Sequence, residues 1–225
     1  MERIVLDAFA FDITGQELLK TLRMEDDQDE DALKVCRMLE EALACARPKA
    51  VYCIAAIEQK GEDFVTVEGH KIFSPLVRKN LDQVSRIVPY VATCGLEVES
   101  WSKQYDGDIF EQFWADEIKK LLLYRAIRAL NKEVKSKYFA SGDMSAMSPG
   151  SLPEWPITRQ TELFDVIGDV GELAGVSLTD SFLMIPSKSV SGFFFSSETH
   201  YENCQLCPIP NCPNRRAPYQ KDVGA

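Results

Sequence analysis

Leu183-Met184-Ile185-Pro186-Ser187-Lys188-Ser189-Val190-Ser191-Gly192-Phe193-Phe194-Phe195 joins an apolar run, a polar turn and an aromatic run. Its ends read as strands. Proline removes a backbone donor and favours an extended residue before it, which suits Met184 and Ile185, while Phe193 to Phe195 have the aromatic bias of a buried strand. Between them lies a polar elbow. Ser187, Lys188, Ser189 and Ser191 supply hydroxyl and ammonium donors, and Gly192 permits either a sharp turn or the close approach of another group. Two uses fit this composition: an ordinary hairpin turn, or a cradle for a ligand carboxylate.

The residues upstream narrow the choice. Ser148-Pro149-Gly150 is followed by Trp155-Pro156-Ile157, Gln160 and Leu163-Phe164, then by Leu178-Thr179-Asp180-Ser181 leading into the elbow. In this order and spacing the segment from Tyr138 to Ser196 resembles the activation domain of cobalamin-dependent methionine synthase, and in particular stand-alone proteins similar to that domain. Thr93-Cys94-Gly95-Leu96-Glu97 and the helix after Phe110 extend the likeness. The resemblance implies an α+β fold in which a twisted, mainly antiparallel sheet is packed by helices. It also implies a site for S-adenosylmethionine at the Ser148, Pro149 and Gly150 turn and at Ser189, Val190, Ser191 and Gly192. In that family the ligand donates a methyl group to cobalamin that has left the catalytic cycle. The implied partner is a corrinoid protein or a methionine synthase, which carries the cobalamin. Two positions depart from the family pattern: its arginine before the Pro-Gly turn falls at Ala146, and its tyrosine after the glycine falls at Ser151. Lys188 is the candidate to supply the missing positive charge, as a point charge in place of a fork.

Composition bounds the function classes. The 225 residues, 45% of them hydrophobic, can bury one substantial core. The division expected is an activation-like domain over 1–196, with a 1–107 αβ part and a 108–196 part holding the long helix and both turns, followed by a cysteine-rich tail over 197–225. A formal net charge of -10 argues against a nucleic-acid backbone as partner. No apolar run reaches the roughly 18 to 20 residues needed to cross a bilayer, and Met1-Glu2-Arg3-Ile4 lacks the pattern of a secretory signal, so the expected location is cytoplasmic. No Ser-His-Asp arrangement, phosphate-binding glycine loop or dinucleotide fingerprint is present, and no catalytic residue is assigned.

Along the chain, Ile4 to Phe11 suits an opening strand, and Thr14 with Glu17 reads as a helix cap before Leu18, Leu19 and Leu22. Leu33 to Ala46 repeats at helical spacing until Pro48, and Ala50 to Ile57 reads as one buried strand. Val65 to Val67 is a partner strand, His70 lies in the bend after it, Pro75 to Leu81 is a short helix, and Ile87 to Thr93 is an apolar strand ending at Cys94. Asp108 to Phe139 is the strongest helix. The positive charges at Arg125, Arg128, Lys132, Lys135 and Lys137 fit either a solvated face or a docking face for an acidic partner. A Gly-, Ser- and Pro-rich loop spans Ala140 to Pro156, and a helix over Thr158 to Ala174 is capped by Gly175.

The tail loses periodicity but gains a motif. His200, Cys204, Cys207 and Cys212 form H-x3-C-x2-C-x4-C, a spacing that lets one loop wrap a metal. Either an iron-sulfur cluster or zinc fits it, with the fourth ligand from His200 or from Cys36, Cys45, Cys53 or Cys94; free surface thiols are the alternative. Two functions follow. One is an accessory protein that binds S-adenosylmethionine, relays an electron, or both, to reactivate cobalamin. The other is a metal-binding module that keeps the fold and has lost the S-adenosylmethionine site.

Overall fold

Arg86–Thr93, Arg-Ile-Val-Pro-Tyr-Val-Ala-Thr, is buried at every position after the first. A strand covered on both faces belongs in the middle of a sheet with helices on either side. The computed structural model describes residues 1–10, 12–140, 142–197, 201–212, 215 and 217–220. It places this strand, β6, at the centre, in the chain order β1 (Arg3–Leu6), α1 (Gly15–Leu22), α2 (Glu30–Cys45), β2 (Lys49–Cys53), β3 (Ala55–Lys60), β4 (Phe64–Val67), β5 (His70–Phe73), α3 (Pro75–Asn80), β6, α4 (Leu96–Ser102), α5 (Ile109–Tyr138), β7 (Asp143–Met147), α6 (Gln160–Ile167), α7 (Val170–Ala174), β8 (Ser177–Leu178), β9 (Met184–Ile185) and β10 (Ser189–Ser197).

β2 and β3 line one side of β6 in a single antiparallel register, from Lys49↔Thr93 to Ala55↔Ile87. The expected single strand from Ala50 to Ile57 is thus two, and the interruption falls opposite Pro89, which has no N–H to give to a ladder. β1 lies outside β2, while β4 and β5 continue outward from β3. On the other side of β6 comes β10 and then β7, both antiparallel. β8 and β9 form a separate small hairpin.

Alternation along the strands sends successive side chains to opposite layers. Ala50, Tyr52, Tyr90, Ala92 and Phe194 pack with α1, α2, α4 and α5. Val51, Cys53, Val91, Phe193 and Phe195 face α3, α6 and α7. Phe193 and Phe195 are fully buried, each contributing about 1.5–3 kcal/mol. The α+β architecture with a mainly antiparallel sheet is therefore as expected.

Several local features differ. Phe11, at the end of the expected first strand, lies outside the described residues. His70 begins β5 instead of sitting in a bend, and stays exposed. α4 follows Gly95, a helix the sequence pattern did not disclose. The helix expected over Thr158 to Ala174 is broken at Gly168 (φ 67°), where Arg3 Nε donates to Ile167 O at 2.8 Å. The loop from Ala140 to Pro156 contains β7. On α5 the apolar stripe is only partly buried: Ile109, Phe110 and Phe113 are each more than half exposed. Arg125 is bound to Asp12 and Glu17 at 2.6 Å each, tying α5 to the N-terminal segment.

Candidate functional site

The two turns singled out by sequence adjoin. β7 ends at Met147, opposite Phe193 in β10, so the next residue of one strand lies beside the preceding residue of the other. A methyl group at Gly192 would come within 2.5 Å of Met147 O, 2.8 Å of Ser148 Oγ and 2.9 Å of the Tyr90 hydroxyl oxygen. Gly192 is needed for this approach and not for a turn: it sits in the extended ladder between β6 and β7, with Ser189, Val190 and Ser191 before it. The elbow itself is confined to the residues around Pro186, Ser187 and Lys188.

Gly150 makes the turn. Its φ of 86° is a conformation that favours glycine. Gly150 N donates to Trp155 O at 2.8 Å, and Trp155 N to Leu152 O at 3.1 Å, closing residues 150–155 into a small loop. Trp155 is buried, with its ring 5.3 Å from that of Phe193. The Ser-Pro-Gly turn is thus fastened to the aromatic run of β10. Pro149 is buried, while Gly150 and Ser151 are exposed.

The elbow hydroxyls point inward. Ser189 Oγ donates to Thr93 Oγ1 or to Pro186 O, 2.8 Å in each case. Ser191 Oγ donates to Gln160 Oε1 at 2.8 Å, and Gln160 Nε2 donates to Phe182 O at 3.0 Å. Ser187 Oγ donates to Glu99 Oε2 at 3.1 Å, an oxygen that also receives Lys119 Nζ at 3.2 Å. Lys188 Nζ lies 2.8 Å from Asp116 Oδ2. An open cavity of about 530 Å³ runs along this junction, lined in part by Glu99, Asp106, Ile109, Phe113, Asp116 and Lys119. Glu99, Asp116 and Lys119 carry no sequence signal for this role, since only the fold brings α4 and α5 to the elbow. Cys94, at the end of β6, is a buried thiol pushed up to about 12 by desolvation, which leaves it inert at neutral pH.

The tail packs onto the same edge of the sheet. Tyr201 N donates to Ser145 Oγ at 2.8 Å, Ala146 pairs with Glu202 in a parallel bridge, and Asn203 Nδ2 donates to Ser148 O at 2.9 Å. Cys204, Cys207 and Cys212 are half-buried thiols. Arg215 binds the loop from inside, donating to Cys204 O at 2.7 Å, Cys207 O at 3.0 Å and Ile209 O at 2.6 Å. Among the described residues no group of three or more His, Cys, Asp or Glu is arranged to hold a metal. His200 lies outside the described residues.

An S-adenosyl ligand would find backbone but little charge here. Gly150 and Ser151 are accessible, yet Ala146 is buried in β7 against Phe194 and Lys188 is already paired with Asp116. The turn leaves backbone accessible, and the cation expected beside a ligand carboxylate is absent from Ala146 and engaged at Lys188.

This α+β arrangement has a counterpart among solved structures. A solved structure titled "Crystal Structure of the MetH Reactivation Domain bound to AdoHcy" matches 90% of this chain and 81% of that one, with a TM-score of 0.60 at 15% identity, a likeness of fold. The family model described as "Vitamin B12 dependent methionine synthase, activation domain" matches residues 146–204, which hold both turns and Asn203. The segment 146–204 thus resembles the cobalamin-dependent methionine synthase activation domain family in sequence, and most of the chain resembles the solved reactivation domain in fold. No curated protein sequence matches the chain. No helix among the described residues is long and apolar enough to cross a membrane.

Proposed function

We propose that this protein is an activation-domain-like accessory protein that helps return the cobalamin of a corrinoid protein or a methionine synthase to its active state. In this proposal S-adenosylmethionine lies beside Ser148, Pro149 and Gly150 and the start of β10, and when bound it supplies the methyl group. The observation that carries it is the contact of Gly192 with Met147 O and Ser148 Oγ, which makes one edge out of two separated sequence motifs. That edge lies within the segment matched by the family model, and the structural neighbour is titled as bound to AdoHcy. The chain's own part is to bind and orient, as is usual where cofactors carry the hard step. Exposed Gly150 and Ser151 offer backbone to the amino-acid portion of the ligand. Calorimetric titration of the full chain with S-adenosylhomocysteine tests this: saturable heat below millimolar concentration is expected, and no heat at millimolar concentration contradicts it.

A second reading is favoured by Ala146 and by the Lys188–Asp116 pair, which leave the ligand carboxylate without a cation worth about 1.5–3 kcal/mol. On it the protein keeps the fold, has lost the ligand, and uses the cysteine-rich tail to bind iron-sulfur or zinc. Among the described residues the tail cysteines are not gathered into a group of three or more metal-ligating side chains. Metal analysis and a visible spectrum of protein purified without oxygen separate the two readings.

A further inference from the structure

The tail follows β7 residue by residue. Tyr201 meets Ser145, Glu202 bridges Ala146, and Asn203 reaches Ser148. Met147 is the last β7 residue in register with β10, so Ser148 O lies just past the ladder that holds its neighbours. The Asn203 amide holds it instead. Asn203 is only 5% exposed; its side-chain Nδ2 is given to Ser148 O, its backbone carbonyl accepts Leu206 N and Cys207 N at 3.1 Å each, and its side-chain Oδ1 is buried with no partner among the described residues. The Cys204–Cys207 stretch is in turn held by the Arg215 guanidinium. On its far side the turn is fixed by Gly150 N to Trp155 O.

We propose that Asn203 is a positioning residue for the Ser148-Pro149-Gly150 turn, so that the candidate ligand site is incomplete without the start of the cysteine-rich tail. Ser148 is part-buried and its carbonyl lies past the strand ladder, so the Asn203 amide donating to it fixes the backbone that leads into Gly150. Affinity for an S-adenosyl ligand then depends on a residue that need not touch the ligand. That consequence rests on the function proposed above; the placement of the turn does not.

The test reads both, on the full-length protein. Amide hydrogen exchange at Gly150 is compared in the parent, Asn203→Ala and Asn203→Leu, the second of which keeps the side-chain volume; S-adenosylhomocysteine is titrated into each. Exchange at Gly150 should quicken at least tenfold in both variants while amides of Val91 and Ala92 in β6 stay as in the parent, and affinity for S-adenosylhomocysteine should fall at least tenfold. Gly150 exchange within twofold of the parent overturns the proposal, as does loss of the whole sheet in both variants, which would assign Asn203 to folding in general. Should the parent bind no S-adenosylhomocysteine, the proposed function fails while the exchange result still decides the role of Asn203.

Discussion

Lys188 Nζ and Asp116 Oδ2 stand 2.8 Å apart and join the elbow to α5. The side chains are 27% and 40% exposed, so solvent screens the pair and its coupling should be small, about 0.2–1 kcal/mol. A double-mutant cycle of Lys188→Ala and Asp116→Ala in urea unfolding measures it. A coupling well above that range would mean the pair is far less solvated than its exposure indicates. If Lys188 serves a ligand carboxylate, the Asp116→Ala variant, in which it is released, should bind S-adenosylhomocysteine more tightly than the parent.

Gly192→Ala should be among the most damaging single changes at the site. The added methyl meets Met147 O, a backbone atom, at 2.5 Å, and backbone in a paired strand yields little. A loss of about 1–3 kcal/mol in unfolding free energy is expected. Gly69, where nothing lies within 4 Å of a built methyl, has a φ of 80° and so tests backbone strain alone. A Gly192→Ala protein as stable as the parent would show that β7 and β10 do not approach as described.

Acid should destabilise the protein through specific carboxylates. Hydrogen bonds and charge from Arg125 hold Asp12 below its ordinary value of 3.8, Arg78 does the same for Asp82, and backbone N–H groups of Glu111 and Phe110 do so for Asp108. A carboxyl with a lower pKa folded than unfolded contributes stability that is present above the unfolded value and lost as pH falls through the folded one. Stability should therefore decline below about pH 4, and Arg125→Met should flatten part of that decline. A parent-like acid profile in Arg125→Met would remove Asp12 from the account.

Thiol labelling at pH 8 should divide the seven cysteines. Burial pushes Cys53 and Cys94 up to about 12, and both are fully enclosed. Cys204, Cys207 and Cys212 are partly exposed. Native protein treated with iodoacetamide should be modified at the tail cysteines and at the partly exposed Cys36 and Cys45, as read by peptide mass spectrometry, with Cys53 and Cys94 modified only on unfolding. Equal rates at Cys94 and Cys204 would contradict the burial of the β6 end.

Much of the fold was legible because it rests on local chemistry. Thr14 caps α1, its Oγ1 accepting Glu17 N at 3.2 Å, and Pro75 opens α3, both as the residues suggest. That the Ser148 turn and Gly192 share one site was implied by the family resemblance; the residues themselves said only that Gly192 permits a sharp turn or a close neighbour, and the structure shows the second. What stayed hidden depends on distant partners. β7, Asp-Met-Ser-Ala-Met, has little intrinsic strand character and is made a strand by Phe193 to Phe195 beside it. Asp116 and Glu99 look like ordinary helix-surface acids until the fold sets the elbow against them. Asn203 stands among the cysteines as an unremarkable amide, and only the return of the tail onto β7 gives it Ser148.

The claim that this chain helps restore a cobalamin is tested most directly by methyl transfer. S-adenosylmethionine with a labelled methyl group is incubated with cobalamin kept chemically reduced, without oxygen, in the presence and absence of the full chain. Protein-dependent appearance of labelled methylcobalamin, lost in Gly192→Ala that remains folded, is the predicted result. Equal methylation with and without the chain, both for free cobalamin and for cobalamin held by a methionine synthase lacking its own activation domain, would contradict it.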